Sequence, residues 1–163
     1  MSDQVLPNQV ILDFSNRNLL SPVPKQLYKS AKVYFSKKEL DLLQTAYNVA
    51  FEAHKGQLRK EGSPYISHPV AVATILIELH LDIETVCAGL MHDVLEDSFI
   101  KKSYLEKLFG KEVVAIVDGV SNLNKLDFDS IEDRNANNLQ KMALAMSKDI
   151  RVIIVKLCDR LHN

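Results

Sequence analysis

Four side chains in this 163-residue sequence belong to types that bind a metal ion through nitrogen and oxygen. His92 and Asp93 are adjacent within an apolar helical pattern, while His68 lies upstream and Asp159 lies downstream. An unpaired carboxylate is costly to bury, and two imidazoles with two carboxylates suit a single divalent cation. Because the set contains no thiolate, it favours manganese over structural zinc. The pattern predicts a metal site built from three separate helices.

Each member of this set also has an ordinary explanation. Taken alone, His68 between a serine and a proline is more often a capping or surface residue, and its candidacy rests on the other ligands. Asp159 has possible salt-bridge partners in Lys156 and Arg160, but these are sequence neighbours rather than facing groups. The remaining histidines are expected to have ordinary roles, His54 on a helix face, His80 exposed and His162 incidental beside Asp159.

The last helix strengthens the case for Asp159. Ile153, Leu157 and their neighbours at helical spacing form one apolar face, and Val152 with Val155 forms a second face on the opposite side. Asp159 extends this second face. A carboxylate on a helix that is buried on both sides requires a partner cation.

A second acidic pair, Glu96 and Asp97, follows the His92–Asp93 pair by one helical turn. At about 100° per residue, Asp93 and Asp97 fall on the core side of a continuous helix. Either carboxylate alone would be typical of a solvated acidic helix end. Next to the histidine and aspartate, the pair is a candidate for proton transfer or for positioning water. The combined pattern favours a metal-dependent phosphohydrolase.

Arg59 and Lys60 belong to a short basic run that leads toward His68. Charge runs are usually solvated, and this is the simpler interpretation. An Arg–Lys pair could also enclose a purine base or grip phosphate. No Walker A, GxGxxG, CxxC or GxSxG pattern occurs in the sequence, which excludes the commonest competing enzyme classes.

Composition limits the class of protein. Apolar residues make up 47% and charged residues 25%, as in ordinary soluble domains, and the length suits one domain with a real core. The net charge of -1 implies no general nucleic-acid or membrane surface.

Cys87 and Cys158 match no ligand spacing, so we expect buried free thiols in a reducing compartment. With no secretory signal or membrane-spanning apolar run visible, a cytoplasmic location is expected.

The elements that would position the candidate residues are helices, and the predicted fold class is all-α. Residues 1–36 mix short apolar pieces with Pro22 and Pro24, and we expect an irregular lead-in there. Ser36 and Glu39 have the spacing of a capping box. Helices are predicted from Ser36 to His54, Pro69 to Leu79, Asp82 to Asp97, Ser103 to Gly110, Gly110 to Leu123, and over 136–147 and 149–163.

Four stretches carry a resemblance to a known family: RKEGSPYISHP (59–69), LHLDIETVCAGLMHDVLED (79–97), LFGKEVVAIVDGVSNLNKL (108–126) and KMALAMSKDIRVIIVKLCDRLHN (141–163). The sequence resembles the HD-domain phosphohydrolases, and more narrowly the hydrolase domain of the Rel/SpoT enzymes that make and degrade the alarmone (p)ppGpp. The resemblance implies an HD-domain helical bundle over residues 37–163. It implies ligands of a manganese ion at His68, His92, Asp93 and Asp159, a hydrolytic pair at Glu96 and Asp97, guanine-packing residues at Arg59 and Lys60, and a nucleotide contact at Asn163.

The sequence departs from the family pattern at two positions of one loop. Glu61 and Ser63 stand where members often have a small hydroxyl residue and a glutamate, so a base contact from position 61 is not carried over. The sequence ends within the family motif DRLHN. We therefore expect an HD domain truncated at its C-terminus, with apolar surface uncovered around Leu157 and Leu161. Its expected partners are the synthetase and regulatory domains of a parent chain.

The resemblance implies Mn²⁺-dependent hydrolysis of the 3′-diphosphate of (p)ppGpp, which yields GDP or GTP and pyrophosphate and degrades the alarmone of the stringent response. Two alternatives stay open. One is another HD-type phosphohydrolase with a different nucleotide substrate. The other is a catalytically incompetent fragment that binds a nucleotide or a partner domain without turnover.

Overall fold

The computed structural model describes residues 20–125 and 131–163, and these residues form a bundle of helices. The predicted all-α fold is confirmed. The only β-type pairing in the described ranges is one bridge between Leu58 and Pro64. None of the described helices has the length and apolar character to cross a membrane. The helices are α1 Lys25–Lys32, α2 Lys37–Ala53, α3 Ser67–Glu78, α4 Ile83–Met91, α5 Val94–Asp97, α6 Lys102–Asn124, α7 Ile131–Lys148 and α8 Ile150–His162.

Helix α4 lies at the centre of the bundle and packs against α2, α3, α6 and α8. All of its residues except Glu84 are buried, as expected for a helix that is apolar all round. Asp82 begins the helix, because its side chain accepts a hydrogen bond of 3.2 Å from the backbone N–H of Thr85. The predicted cap at Asp82 is therefore confirmed.

The beginning of the described chain is more regular than predicted. The expectation of an irregular lead-in is wrong for α1, which packs against α2 and α3 and buries Leu27 and Ala31. These two residues are one helical turn apart, and Pro24 precedes the helix instead of interrupting it, as proline at a helix start can. Residues 1–19 lie outside the described part of the chain. The capping box at Ser36 is confirmed by reciprocal hydrogen bonds with Glu39.

The helix predicted from Asp82 to Asp97 is broken where the candidate ligands lie. Helix α4 ends at Met91 and α5 begins at Val94, so His92 and Asp93 form the joint between them. Asp93 has φ -100° and ψ -4°, outside the usual helical values. Faces projected from a continuous helix therefore do not carry over from α4 to α5.

Helix α6 changes direction at Gly110, where φ is +82° and ψ is 172°. Residues other than glycine rarely adopt a positive φ, which explains why a glycine occupies the position where the sequence predicts that a helix ends. The start predicted at Ser103 is wrong, since Lys101 precedes the first turn without a side-chain cap. Helix α7 begins at Ile131, before the predicted 136, while residues 126–130 lie outside the described ranges.

Helix α8 brings the end of the chain back to α3, α4 and α6. It buries Val152, Val155 and Asp159, but Leu157 and Leu161 are 59% and 75% exposed. Burial on both sides was expected; the face of Val152 and Val155 is buried, whereas the opposite face is buried at Ile153 but exposed at Leu157 and Leu161. Helix α6 approaches this buried face closely at Gly119, where a Cβ would lie 2.7 Å from Cγ2 of Val152.

Candidate metal centre

The structure brings three of the predicted ligands together. His68, His92 and Asp159 each offer one ligand atom, and these atoms lie within 4.8 Å of one another. His68 is in the first turn of α3, His92 follows α4 directly, and Asp159 is near the end of α8. All of them are buried. The packing of three helices around the core therefore creates the cluster.

Asp93, the fourth predicted ligand, borders this cluster. Its Oδ2 lies 2.9 Å from Nε2 of His92 and accepts a hydrogen bond of 2.5 Å from the Tyr65 hydroxyl. Burial opposes ionisation of Asp93, but the contacts with His92 and Tyr65 outweigh it and lower the pKa of the carboxyl. Asp93 thus presents a negative charge to the same histidine nitrogen that faces the cluster.

The arrangement of His92 leaves a lone pair inside the cluster. Nδ1 of His92 lies 2.8 Å from the backbone oxygen of Gly89. A carbonyl oxygen only accepts, so Nδ1 carries the hydrogen and Nε2 of the neutral ring is bare. This buried Nε2 has no hydrogen bond of acceptable geometry within the described residues, and Oδ1 of Asp159 lies 3.7 Å away. A lone pair that faces carboxylates is repelled unless a cation lies between them.

The charges of the cluster support the same conclusion. Burial opposes ionisation of Asp159, but the contacts with His68 and Lys156 outweigh it and hold the pKa of the carboxyl well below its usual range. Burial also disfavours the charged form of His92, yet the neighbouring Asp93 and Asp159 raise its pKa overall. Because the cluster attracts positive charge, its donor atoms fit a divalent cation.

Asp159 serves several partners at once. Its Oδ2 pairs with Lys156 at 2.7 Å, so the ordinary salt bridge considered from the sequence exists. Its Oδ1 lies 3.0 Å from Nε2 of His68 and accepts a hydrogen bond of 2.8 Å from Nδ2 of Asn163. The salt bridge therefore occupies one carboxylate oxygen and leaves the other facing the histidines.

The acidic pair lies beside the cluster and not in it. Glu96 and Asp97 are exposed residues of α5. Oε1 of Glu96 accepts a hydrogen bond of 2.8 Å from Nδ2 of Asn124. Burial and the charge of Asp93 raise the pKa of Asp97. The two carboxylates thus differ in environment, since Glu96 is held by an amide and Asp97 has a pKa above that of an ordinary aspartate.

The residues expected to bind a nucleotide are only partly assembled. Arg59 reaches the end of α8, where NH1 lies 3.3 Å from Nδ1 of His162 and NH2 lies 3.5 Å from Oδ1 of Asn163. These contacts place Arg59 and Asn163 at the rim of the cluster. Lys60 is exposed, and no described hydrogen bond or ion pair connects it to them.

The two positions that depart from the family pattern contact each other. Ser63 Oγ donates a hydrogen bond of 2.8 Å to Oε1 of Glu61, and the same carboxylate oxygen lies 3.1 Å from Nε of Arg59. Arg59 and Ser63 are also joined through the backbone at 2.8 Å. Glu61 therefore supports the loop that carries Arg59.

Sequence reasoning missed two residues that contact the candidate ligands, Tyr65 and His162. The expectation that His162 is incidental is wrong, because its Nδ1 lies 2.8 Å from Nδ1 of His68. Its position three residues after Asp159 was an available signal, since such residues share a helix face. His54 is also more enclosed than a helix-face residue, being 2% exposed and packed on Tyr65. The predicted buried free thiols at Cys87 and Cys158 are confirmed.

Comparison with known proteins places these residues in a family. The family model described as HD domain matches residues 46–163. The bifunctional (p)ppGpp synthase/hydrolase SpoT of Escherichia coli (strain K12) is 48% identical over 139 residues, which cover 85% of this chain and 20% of that protein. A guanosine-3′,5′-bis(diphosphate) 3′-pyrophosphohydrolase of Haemophilus influenzae is 52% identical over 115 residues, which cover 71% of this chain and 17% of that protein.

A solved structure shows the same likeness in three dimensions. The chain matches a metazoan ortholog of SpoT, described as hydrolysing ppGpp, with a TM-score of 0.57 and 34% identity. The match covers 80% of this chain and 70% of the solved one. Thus the chain spans most of this solved relative but only about a fifth of the bacterial SpoT protein. The chain belongs to the HD domain family, and the relatives it resembles within that family are SpoT proteins.

Proposed function

We propose that this chain hydrolyses the 3′-diphosphate of (p)ppGpp, consuming one water and releasing pyrophosphate with GDP or GTP. One observation carries the proposal: in the neutral ring of His92, a bare nitrogen faces the carboxylates of Asp93 and Asp159 in a buried cluster that attracts a cation. The names of its bacterial and metazoan relatives support the choice of substrate. Degradation of this nucleotide would place the chain in the stringent response.

The proposed cofactor is Mn²⁺. His68, His92, Asp93 and Asp159 would hold it, a set of nitrogen and oxygen donors that suits manganese. When bound, such an ion polarises a phosphoryl oxygen and lowers the pKa of a water. Water positioning, proton transfer and nucleotide binding would depend on side chains around the cluster.

Glu96 and Asp97 are proposed to handle the proton and the attacking water. The hydrogen bond from Asn124 fixes the Glu96 carboxylate, which suits it to orient a water molecule. Asp97, with its raised pKa, is suited to hold a proton and pass it to the leaving 3′-oxygen. A positioned acid or base of this kind contributes roughly 10²–10⁴-fold to rate.

Arg59, Lys60 and Asn163 are proposed to bind the nucleotide. The guanidinium of Arg59 can stack on a guanine base, and Asn163 links it to the ligand Asp159 through contacts of 3.5 and 2.8 Å. Lys60 is exposed and free to approach the other face of the base. These contacts would place the 3′-diphosphate over the cluster.

We further propose that residues 37–163 act as the hydrolase domain of a larger cytoplasmic chain, with its synthetase and regulatory domains as partners. The support is that the bacterial relatives extend well beyond the matched segment. Helix α1 would belong to the same unit, because it packs against α2 and α3.

The test is product analysis with the purified chain. We expect that ppGpp with MnCl₂ yields GDP and pyrophosphate in equal amounts, and that Asp93→Asn removes the activity. GTP and dGTP serve as comparison substrates. Consumption of dGTP but not ppGpp would indicate an HD phosphohydrolase of different specificity. Binding of ppGpp without turnover, at saturating Mn²⁺, would indicate a non-catalytic nucleotide-binding module.

A further inference from the structure

His162 lies between the nucleotide-binding and metal-binding parts of the proposed site. Its Nδ1 is 2.8 Å from Nδ1 of His68 and 3.3 Å from NH1 of Arg59. The His68 and His162 rings stack with their centroids 5.0 Å apart. One nitrogen atom of His162 is therefore shared by a candidate metal ligand and a candidate nucleotide ligand.

The chemistry of these three groups fixes where the hydrogens lie. A guanidinium has only N–H donors, so Nδ1 of His162 accepts from Arg59 and carries no hydrogen. The hydrogen between His162 and His68 must then belong to Nδ1 of His68. It follows that a neutral His68 ring presents a bare Nε2, the atom that lies 3.0 Å from Oδ1 of Asp159.

We propose that His162 is a positioning residue that holds His68 in its metal-binding tautomer and couples this ligand to Arg59. Metal-binding histidines commonly donate their second ring N–H to an acceptor, which fixes the ring and its tautomer. The acceptor is usually a carboxylate, a backbone carbonyl or water; here it is another imidazole. The inference rests on the proposed function only in taking Arg59 as a nucleotide ligand.

The neighbouring residue provides a second link of the same kind. Nδ2 of Asn163 donates a hydrogen bond of 2.8 Å to Oδ1 of Asp159. Oδ1 of Asn163 lies 3.5 Å from NH2 of Arg59. Two consecutive residues at the C-terminal end of α8, His162 and Asn163, thus join Arg59 to two different candidate metal ligands.

Two substitutions of His162 distinguish the effect of its acceptor atom from the effect of its aromatic ring. His162→Asn retains an acceptor oxygen near the position of Nδ1, whereas His162→Phe retains a ring without an acceptor. Leu161→Ala is the matched control, because Leu161 lies in the same turn and is 75% exposed. Circular dichroism establishes that each variant is folded before its metal affinity is measured.

The first readout is the position of the hydrogen on His68 in the metal-free protein, measured by long-range ¹H–¹⁵N NMR. We expect a hydrogen on Nδ1 of His68 in the wild type and in His162→Asn, and a mixture of tautomers in His162→Phe. A bare Nδ1 of His68 in the wild-type protein would overturn the proposal without any need for a variant.

The second readout is the dissociation constant for Mn²⁺, measured by calorimetry. Loss of such an outer contact typically weakens metal binding by 10–100-fold. We expect at least a roughly tenfold loss in His162→Phe, and wild-type affinity in His162→Asn and Leu161→Ala. Wild-type affinity in His162→Phe, or an equal loss in a folded His162→Asn, would refute the role as acceptor. Neither readout involves turnover, so failure to hydrolyse ppGpp would overturn the proposed function and leave this inference intact.

Discussion

Tyr65 donates a hydrogen bond of 2.5 Å to Oδ2 of Asp93, the same oxygen that lies 2.9 Å from Nε2 of His92. The Tyr65 ring also packs against His54, with centroids 4.6 Å apart. Burial and the charge of Asp93 raise the pKa of the Tyr65 phenol far above its usual range, so the phenol remains a donor. A residue from the loop before α3 therefore fixes the orientation of a carboxylate after α4.

Removal of this hydroxyl should weaken metal binding more than it weakens the fold. In Tyr65→Phe we expect at least a roughly tenfold loss of Mn²⁺ affinity, with about 1–2 kcal/mol lost in the free energy of unfolding. Tyr47→Phe is the control, because Tyr47 is buried beside Phe51 in the core. Calorimetric titration and urea unfolding measure the two quantities. Equal Mn²⁺ affinity in both variants would show that Asp93 is oriented without Tyr65.

Metal binding should stabilise the whole domain through Asp159. At an Mn²⁺ concentration of about 100 times Kd, the gain is about 2.7 kcal/mol, which corresponds to a rise in Tm of roughly 5–10 °C. Asp159→Ala should abolish this rise and preserve the helical circular dichroism of the folded protein. A chelator should likewise return wild-type Tm to its metal-free value.

Asp118→Ala is the matched control for Asp159→Ala, since Asp118 pairs with Lys102 at 2.9 Å on the surface of α6. It should retain the full rise in Tm. If Asp159→Ala still responded to Mn²⁺ as the wild type does, Asp159 would not be a ligand.

Glu96 should affect catalysis and leave metal binding unchanged. We expect Glu96→Gln to lower kcat by about 10²–10⁴-fold, because the amide retains the shape but loses the negative charge with which the carboxylate orients the attacking water. The Mn²⁺ dissociation constant should stay at its wild-type value. Glu78→Gln, an exposed change at the end of α3, controls for the loss of one negative charge. A parallel loss of Mn²⁺ affinity in Glu96→Gln would make Glu96 a ligand instead.

The sequence predicts the donor types well and their orientation poorly. The helical class, the caps at Ser36 and Asp82, and the convergence of His68, His92 and Asp159 follow from local patterns that the structure retains. The tautomer of His92 depends on a carbonyl one turn earlier, at a joint between two helices that periodicity does not reveal. The hydroxyl of Tyr65 reaches Asp93 only through tertiary packing, so no local sequence pattern predicts this hydrogen bond.

Two glycines at close helix contacts should respond differently to the same substitution. A Cβ at Gly119 would lie 2.7 and 3.1 Å from the two Cγ atoms of Val152, whereas a Cβ at Gly89 would lie 2.4 Å from Cδ1 of Leu76. Valine is stiff at χ1, but the end of a leucine side chain can rotate away. The helix preference of alanine over glycine, about 1 kcal/mol, offsets part of either cost.

We therefore expect Gly119→Ala to lower the free energy of unfolding by about 1–2 kcal/mol net, within the usual cost of overpacking. Gly89→Ala should lower it by less. Because Val152 lies on α8, Gly119→Ala should also weaken Mn²⁺ binding. Urea unfolding with calorimetry measures both effects, and a larger loss of stability in Gly89→Ala would contradict this ranking.

Asp149 should make stability depend on pH in the acid range. Its carboxylate caps α8 and binds Arg151 at 2.8 Å, and the hydrogen bond from Arg151 lowers its pKa in the folded protein. Because the pKa of Asp149 is lower in the folded protein than in the unfolded chain, the ionised carboxylate stabilises the fold. This stabilisation is fully present at pH values above the pKa in the unfolded chain, about 3.9. This stabilisation is lost as the pH falls through the folded pKa.

Asp149→Asn isolates the charge, since asparagine also caps helices. At neutral pH we expect the wild type to be more stable by up to about 1 kcal/mol, as for partly exposed ion pairs. The urea midpoints of the two proteins should differ by a constant amount down to about pH 4 and converge below it. A difference that grew on acidification would contradict the assigned sign.

The order in which the ligands occur along the chain has a consequence for biosynthesis. His68 and His92 come from the early helices, whereas Asp159 follows His68 by 91 residues. Since a ribosome delivers the N-terminal part first, a nascent chain displays both imidazoles before α8 exists. Assembly of the proposed metal site must therefore follow completion of α8, and substitutions that loosen this helix would delay assembly of the site without altering any donor atom.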